Sequence, residues 1–405
     1  MGTATSTDGD RSGGSADAES VAGAAGESTA GSPLAGRRPW VRAAVWSAAL
    51  AVVLVVTALA SATVGPVSLD LPTVAKAAVN AVGVPTSVGV SVGGLSAFGL
   101  TIPVPNVRAE YTYLFDLPVD RTGEVIVRRI RLPRIALAAV VGFALAAAGT
   151  VMQGFFRNPM ADPSIIGVSS GAAVGAVATM ALSITGPFGL QLSAFCGAVL
   201  TAFAVYLIAT EGGRTPVATL LLAGVAVQTF LGAVTSYLLL HAGQDLERAI
   251  YWLMGNLDNA AWDEVAVTAP VAVGGFIVLL AYARDLNVLL LGEEEAHTLG
   301  IEVERTKRIL LAVSSVVTAA AVAVAGVIGF VGLVVPHMLR LVVGPDHRVL
   351  LPASAIGGAA FLVATDTVAR VGAFAGGPLP VGIVTAALGA PFFLYLLRTR
   401  EVHSL

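Results

Sequence analysis

The stretch that decides the fold is residues 131–175, RLPRIALAAVVGFALAAAGTVMQGFFRNPMADPSIIGVSSGAAVG. It opens on Arg131, Pro133 and Arg134, runs through an apolar segment of helix length, and breaks at Arg157-Asn158-Pro159-Met160-Ala161-Asp162-Pro163. A second apolar run follows, carrying Gly167, Gly171 and Gly175. Two apolar runs that close this tightly around a charged, proline-braced turn read as a membrane hairpin. Glycines four apart give one helix a smooth face, on which a second backbone can approach closely in lipid.

The rest of the chain fits that reading. Its 405 residues are 56% hydrophobic and 12% charged, with a mean hydropathy of +0.83. A soluble domain carries about 25% charged residues. So much apolar surface cannot be hidden from water, and the expected fold class is an all-α polytopic membrane protein. The net charge of −3 decides little, because orientation follows the placement of Lys and Arg. The single cysteine, Cys196, cannot close an internal disulfide and is expected to pack within its apolar run.

Residues 1–40 read as a disordered acidic tail of Gly, Ala, Ser and Thr without apolar periodicity. The first apolar run, 41–64, follows Arg37, Arg38 and Arg42, and its Ala60-Ser61-Ala62 imitates a signal-peptidase site. Both the run and the leader before it are too long for a signal peptide, so a retained helix is expected. Residues 65–130 hold six prolines, many glycines and both charges. They read as an extra-membrane loop, with short strands or a surface helix near 71–82. Further apolar runs fall near 132–154, 165–184, 191–209, 218–240, 263–282, 309–328, 329–343, 352–370 and 380–397, ten in all with the first. Only 329–343, which contains Pro336, falls well short of the ~20 residues that a spanning helix needs.

Alternating ten spans from an inside N-terminus puts thirteen Lys and Arg inside, with the tail left out. The short outside loops contribute only Arg248 and Arg370, so both termini are expected in the cytoplasm. Arg131, Arg134 and Arg370 then reach the same outer face. Two readings stand level for them: interfacial snorkelling, or a cationic surface for an acidic partner. Asp366, the main intramembrane acid, lies one helical turn from Arg370, so an i,i+4 ion pair is expected. Inside, the loop 283–308 holds a short helical piece from Glu293 to Leu299, bracketed by Gly292 and Gly300. Its three glutamates suit a helix N-terminus, and the bracketing favours a docking element for a cytoplasmic subunit.

The chain has only two lysines, Lys76 and Lys307, and neither follows a phosphate-binding glycine loop. Any ATP-driven work needs another polypeptide. The five histidines form no zinc spacing, and Ser169-Ser170 lacks a partnering His or Asp, so a membrane enzyme is not supported. An ion-coupled secondary transporter would need buried carboxylates near the midplane, of which there are almost none.

Seven strings in register resemble one family over residues 41–400, here taken as the permease domain. They are RLPR (131–134), GFALAAAGTVMQGFFRNPMADPSIIGVSSGA (142–172), LLLAGVAVQ (220–228), YWLMGNL (251–257), LGEEEAHTLG (291–300), GFVGLVVPHMLRLVVGPDHRVLLP (329–352) and PVGIVTAALGAPFFLYLL (380–397). The chain resembles the FecCD-type permeases of ABC importers for ferric siderophores, haem and vitamin B12. The resemblance implies a type II importer fold of about ten transmembrane helices, paired as a dimer with a second copy or paralogue. It also implies ATPase subunits inside and a substrate-binding protein outside, with ATP hydrolysed by the partner and no cofactor bound by this chain.

It further implies that Arg131, Arg134 and Arg370 dock the binding protein. The segment Gly292, Glu293, Glu294, Glu295, Ala296, His297, Thr298, Leu299 and Gly300 is implied to couple to the ATPase. Thr215 to Thr219 corresponds to the gate. Gly224, Gln228, Thr229, Gly232 and Ser236 are expected to form a weakly interacting channel wall. The turn Arg157, Asn158, Pro159, Asp162 and Pro163 is expected to brace. Two departures stand out: Pro378-Leu379-Pro380 replaces the family's Glu-Leu-Pro, and the 65–130 loop is longer than usual. Cobalamin and a ferric siderophore stand level as cargo, with haem behind.

Overall fold

The computed structural model describes residues 38–399, apart from 66, 82, 98–99, 184–185, 187, 259 and 372–378. The acidic tail expected over 1–40 lies outside the described residues up to 37, and so does Pro378. In chain order the helices are α1 (Pro39–Thr63), α2 (Leu71–Asn80), α3 (Arg121–Val125), α4 (Leu132–Phe155), α5 (Val168–Ala181), α6 (Gly189–Ala209), α7 (Val217–Leu240), α8 (Leu246–Leu253), α9 (Trp262–Ala281), α10 (Ala283–Leu289), α11 (Glu293–Thr298), α12 (Val303–Ala325), α13 (Val331–Val343), α14 (His347–Val371) and α15 (Val381–Thr399).

A backbone in lipid must satisfy its own N–H and C=O groups, so long apolar runs become helices. Seven rods are long and apolar enough to cross a membrane: α1, α3 with α4, α6, α7, α9, α12 and α14. Three shorter apolar helices, α5, α13 and α15, complete the ten runs of the sequence. The chain is a multi-pass membrane protein. α4 is its central rod, with 78% of its apolar window buried against 17% for α7.

Small residues set that centre. A Cβ on Gly142 would stand 2.2 Å from the Gly358 carbonyl oxygen, and one on Gly149 would stand 1.9 Å from that of Gly332. α4 therefore meets α14 and α13 backbone to backbone. Within the opening stretch, Gly171 and Gly175 press α5 onto α6, where added Cβ atoms would lie 2.3 Å from Gly197 O and 2.1 Å from Ser193 O. Gly167 does something else. Its φ of 83° turns the chain into α5.

The first rod starts earlier than the apolar run. Asp120 caps α3 by accepting from the N–H groups of Thr122 and Gly123, and a π-helical turn over Ile126–Arg131 carries the helix into α4. Leu132 N–H reaches Val127 O, an i→i−5 bond. Pro133 has no N–H and its ring crowds the preceding turn, a place where a wider turn costs little.

The 65–130 loop departs from expectation. α2 fills the surface helix, but the strands are not short. β1 (Gly83–Ala97) and β2 (Leu100–Tyr113) pair as an antiparallel hairpin of 15 and 14 residues, from Gly83 opposite Tyr113 to Ala97 opposite Leu100. The sequence shows why: Val88, Val90 and Val92 alternate with Ser87, Gly89 and Ser91, a period of two that the glycines and prolines obscure. It is the one sheet among the described residues. Cys196 also departs, since it sits exposed on α6 rather than packed. Ala194 and Ala198, two positions to either side, take the buried face instead.

Candidate functional site: two charged joints in an apolar bundle

Charged side chains gather at the two ends of the bundle. At the end that carries RLPR, Asp366 is fully buried and held by two arginines. Arg134 donates from Nε and Nη2 to Asp366, at 2.7 Å for the shortest bond, and from Nη1 to Asp258 Oδ1 at 2.7 Å. Arg370 Nε lies 3.2 Å from the other Asp366 oxygen, the expected i,i+4 pair. Asp258 also accepts from the Tyr251 hydroxyl. Burial, and then that carboxylate, push the Tyr251 phenol above its ordinary pKa, so it stays a donor.

The remaining guanidinium donors bind backbone. Arg131 donates to the carbonyls of Ala62 and Val67, and Arg370 to Val64 O at 3.1 Å and to the Ser61 hydroxyl. The network thus joins the end of α1, the start of α4, the end of α14 and the loop after α8. The sequence brings Arg131, Arg134 and Arg370 to one place, as expected, but the exposed cationic surface expected of them is not there. Arg131 is 4% exposed. The side chains of Arg134 and Arg370 are 12% and 9% exposed. Carboxylates at positions 258 and 366 turn Arg134 and Arg370 inward, and the Ala62 and Val67 carbonyls hold Arg131, because a buried charge needs a partner. Among the described residues, the exposed cations near this end include Lys76, Arg121, Arg129 and Arg248. Two of them, Arg121 and Arg129, border a groove of about 820 Å³ shared with Trp262 and Asp263.

At the opposite end, α11 stands between Gly292 (φ 141°) and Gly300 (φ 85°). Glu293, Glu294 and Glu295 occupy its first turn. Ala296 is fully buried, while Glu294, Glu295, His297, Thr298 and Leu299 are exposed. Leu291 and Leu299, 64% and 63% exposed, flank it with apolar surface. Glu293 points back to Lys307 on α12, at 3.1 Å. Lys307 also donates to Thr215 O at 2.7 Å and to Glu304 Oε1 at 3.1 Å.

The turn at 157–163 is tied to itself. Asn158 accepts from Met160 N–H, Asp162 accepts from Ser164 N–H, and Arg157 adopts φ 47°. Burial pushes the Asp162 carboxyl up in pKa against the pull of its Ser164 hydrogen bonds. Pro163 packs against Gly332, where an added Cβ would lie 3.0 Å from the proline ring.

The seven gate and wall residues separate into two groups. Thr215 is 2% exposed and pairs its hydroxyl with that of Thr210. Gly224 is pressed against Ile165 O, which also accepts from Gln228 Nε2 at 2.6 Å. Thr215 and Gly224 are buried in the chain and Gln228 is half-buried. Thr219, Thr229, Gly232 and Ser236 are exposed, on a helix that also leaves Leu222, Val225 and Tyr237 outward. Periodicity places all but Thr215 on one helix, but which face meets a neighbour depends on the 3-10 turn Pro163–Ile166, which no local pattern announces. Sequence reasoning also missed Asp258, Tyr251, Glu304 and the joint at Lys307. A signal existed for the last: one of two lysines, three residues after a glutamate, in an apolar chain. Among the described residues, no group of three or more His, Cys, Asp or Glu could hold a metal ion.

The model of the FecCD transport family matches residues 90–399. The chain belongs to the FecCD transport family. Curated relatives agree with the placement. The cobalamin import system permease protein BtuC of Halobacterium salinarum is 58% identical over 371 residues, covering 91% of this chain and 100% of that one. The hemin transport system permease protein HmuU of Yersinia pestis is 45% identical, over 68% of this chain and 84% of that one. Among solved structures, a metal-chelate type ABC transporter in an inward-facing conformation aligns with a TM-score of 0.69 and 28% identity, over 87% of this chain and 99% of that one. This FecCD-family fold is the importer permease fold that the seven motifs imply.

Proposed function

We propose that the chain is the transmembrane permease subunit of a binding-protein-dependent ABC importer. It carries a metal chelate across the cytoplasmic membrane, with cobalamin ahead of a ferric siderophore and haem behind both. The observation that carries this reading is the end-to-end likeness to a cobalamin permease at 58% identity. Both termini lie on the cytoplasmic side, where α11 meets a separate ATPase subunit that binds and hydrolyses the ATP. A short helix outside the apolar rods, flanked by two exposed leucines, suits a protein partner better than water. Two copies, or one copy and a paralogue, pair around the path, to which Thr219, Thr229, Gly232 and Ser236 offer small polar surface.

A substrate-binding protein docks at the RLPR end. There Arg121 and Arg129 offer accessible guanidinium groups beside one groove, with Arg248 exposed on α8, and the buried arginine network fixes the start of α4 next to them. ATP binding closes the ATPase subunits, α11 moves with them, and the bundles rock between inward- and outward-open states.

The test is uptake of radiolabelled cyanocobalamin into proteoliposomes that hold the permease with its ATPase and binding protein. Uptake that requires both partners and ATP, and that resists a protonophore, is expected. Uptake of a ferric siderophore in its place moves the cargo within the reading. Uptake that survives without the ATPase and collapses with the protonophore replaces it with ion-coupled secondary transport.

A further inference from the structure

The ammonium of Lys307 has three protons and three acceptors, each on a different piece of chain. Thr215 O belongs to the loop before α7, Glu293 Oε1 to the first residue of α11, and Glu304 Oε1 to α12 itself. Lys307 is 5% exposed. The second oxygen of Glu304 accepts from Thr215 N–H at 3.3 Å, so both backbone groups of Thr215 are held by this cluster. The loop that carries Thr215 is itself stiff. Glu211 and Arg214 exchange both backbone hydrogen bonds across Gly212 and Gly213, whose φ values of 58° and 81° make a tight reverse turn. Pro216 then leads directly into α7.

Without the ammonium, α11 reaches α12 through the covalent chain, and the start of α7 keeps only the Thr215 N–H bond to Glu304 Oε2 on α12, with nothing among the described residues joining it to Glu293. We infer that Lys307 is a positioning residue that makes α11 and the start of α7 move as one body. A displacement imposed on α11 then reaches the helix carrying Thr219, Thr229, Gly232 and Ser236. This inference rests on the reading of α11 as the element that meets the ATPase. The geometry suits the task. A charge-assisted hydrogen bond is short and roughly twice as strong as a neutral one. Three of them converging on one buried nitrogen leave it little freedom to shift. A structural cation would serve as well on any one element, whereas this one spans three.

The experiment uses two readouts. In a Cys196→Ser background, spin labels are placed at Ala218→Cys and Thr298→Cys in the permease alone, and the distance between them is measured by pulsed electron resonance. With Lys307 present the distance within one subunit is expected to be narrow. Lys307→Met broadens the distribution, and Lys307→Arg narrows it again. The second readout is substrate moved per ATP hydrolysed, taken with cyanocobalamin in the assembled proteoliposomes. Lys307→Met is expected to lower that ratio about tenfold, within the range of ordinary coupling energies, while hydrolysis continues.

An unchanged distance distribution in Lys307→Met overturns the inference, whatever the cargo proves to be. So does a parallel fall in uptake and hydrolysis at a constant ratio. Failure of the unmodified complex to import with ATP is a different result. It overturns the proposed function, and the distance measurement on the permease alone still decides the role of Lys307.

Discussion

The two charged joints of this protein both pair cations with carboxylates, to opposite ends. At the RLPR end, Arg134 and Asp366 lie 232 residues apart in sequence and meet with the aspartate fully buried. At the other end, Lys307 and Glu304 are three residues apart, and Glu293 keeps 42% of its side chain in contact with water. The first joint closes the fold around itself. The second leaves one carboxylate-bearing helix standing out of the bundle, held at one point. A fully buried ion pair rigidifies, because breaking it strands a charge. A half-exposed pair contributes less to the stability of the whole, so this joint can tie α11 to its neighbours without holding the bundle itself together.

Removing one partner from the closed joint should therefore give the largest effect. Arg134→Met takes the shared cation from Asp258 and Asp366 and leaves the buried Asp366 to Arg370 alone, a loss that approaches that of a broken buried pair, about 3–5 kcal/mol. The expected outcome is a strong fall in the detergent melting temperature, with part of it recovered in the double variant Arg134→Met with Asp366→Leu. A variant that melts like the wild type would show that water reaches Asp366 and that the two joints do not differ as drawn. The same reasoning bears on charge reversal at Arg131 and Arg134. Such variants are expected to be lost from the membrane before any docking can be measured, so a test of binding-protein contact belongs at Arg121 and Arg129.

The open joint should respond in the reverse way. Glu293→Gln keeps a hydrogen-bond acceptor for Lys307 but removes the charge. For a pair this exposed the loss is about 0–1 kcal/mol, so the melting temperature is expected to stay within a few degrees of the wild type. The protection of the α11 amides from hydrogen exchange is expected to fall in the same variant, because α11 has little else besides Ala296 to anchor it. Strong destabilisation, as great as that of Arg134→Met, would erase the contrast.

How much of this was legible in the sequence follows from the range of the forces involved. The ten apolar runs were readable because hydropathy is local, and each became a helix within a few residues of its run. The glycine spacing at 171 and 175 was readable for the same reason. The start of the second rod was not, since the π turn at Ile126–Arg131 answers to a proline that lies beyond it. Nor was the inward turn of the RLPR arginines. Their partners, Asp258 and Asp366 for Arg134 and the Ala62 and Val67 carbonyls for Arg131, come from remote loops and helix ends, and one sequence does not say which charge a folded chain will bury. The hairpin at 83–113 fell between these cases: its alternation was present, but glycine and proline content argued for strands no more than short. α7 shows the limit most clearly. Gly224 and Gln228 share a helix with Thr229 and Ser236, and only the packing of Ile165 separates a buried face from an open one.

A third cluster lies between the two extremes and offers the smallest effect. Asp346, between α13 and α14, accepts from Arg348 Nη2 at 2.8 Å, from Arg348 N–H at 3.0 Å and from Asn287 Nδ2 at 2.7 Å. Burial alone would raise its pKa, but the hydrogen bonds from Arg348 and Asn287 outweigh it and hold the carboxyl below its ordinary value. A folded-state pKa below the unfolded one means that the stabilisation is complete above the unfolded value of ~3.9 and is lost as pH falls through the folded value. Arg348 keeps 50% of its side chain exposed, so the contribution is screened to about 1 kcal/mol or less. Asp346→Asn is therefore expected to lower the melting temperature slightly at neutral pH, with the difference from wild type shrinking as the pH drops below ~4. A difference that stays constant through the acid range would assign the effect to hydrogen-bond shape. In that case Asn287, whose side-chain oxygen accepts from His347 N–H at 2.9 Å while its amide reaches Asp346, would be the residue that ties α10 to α14.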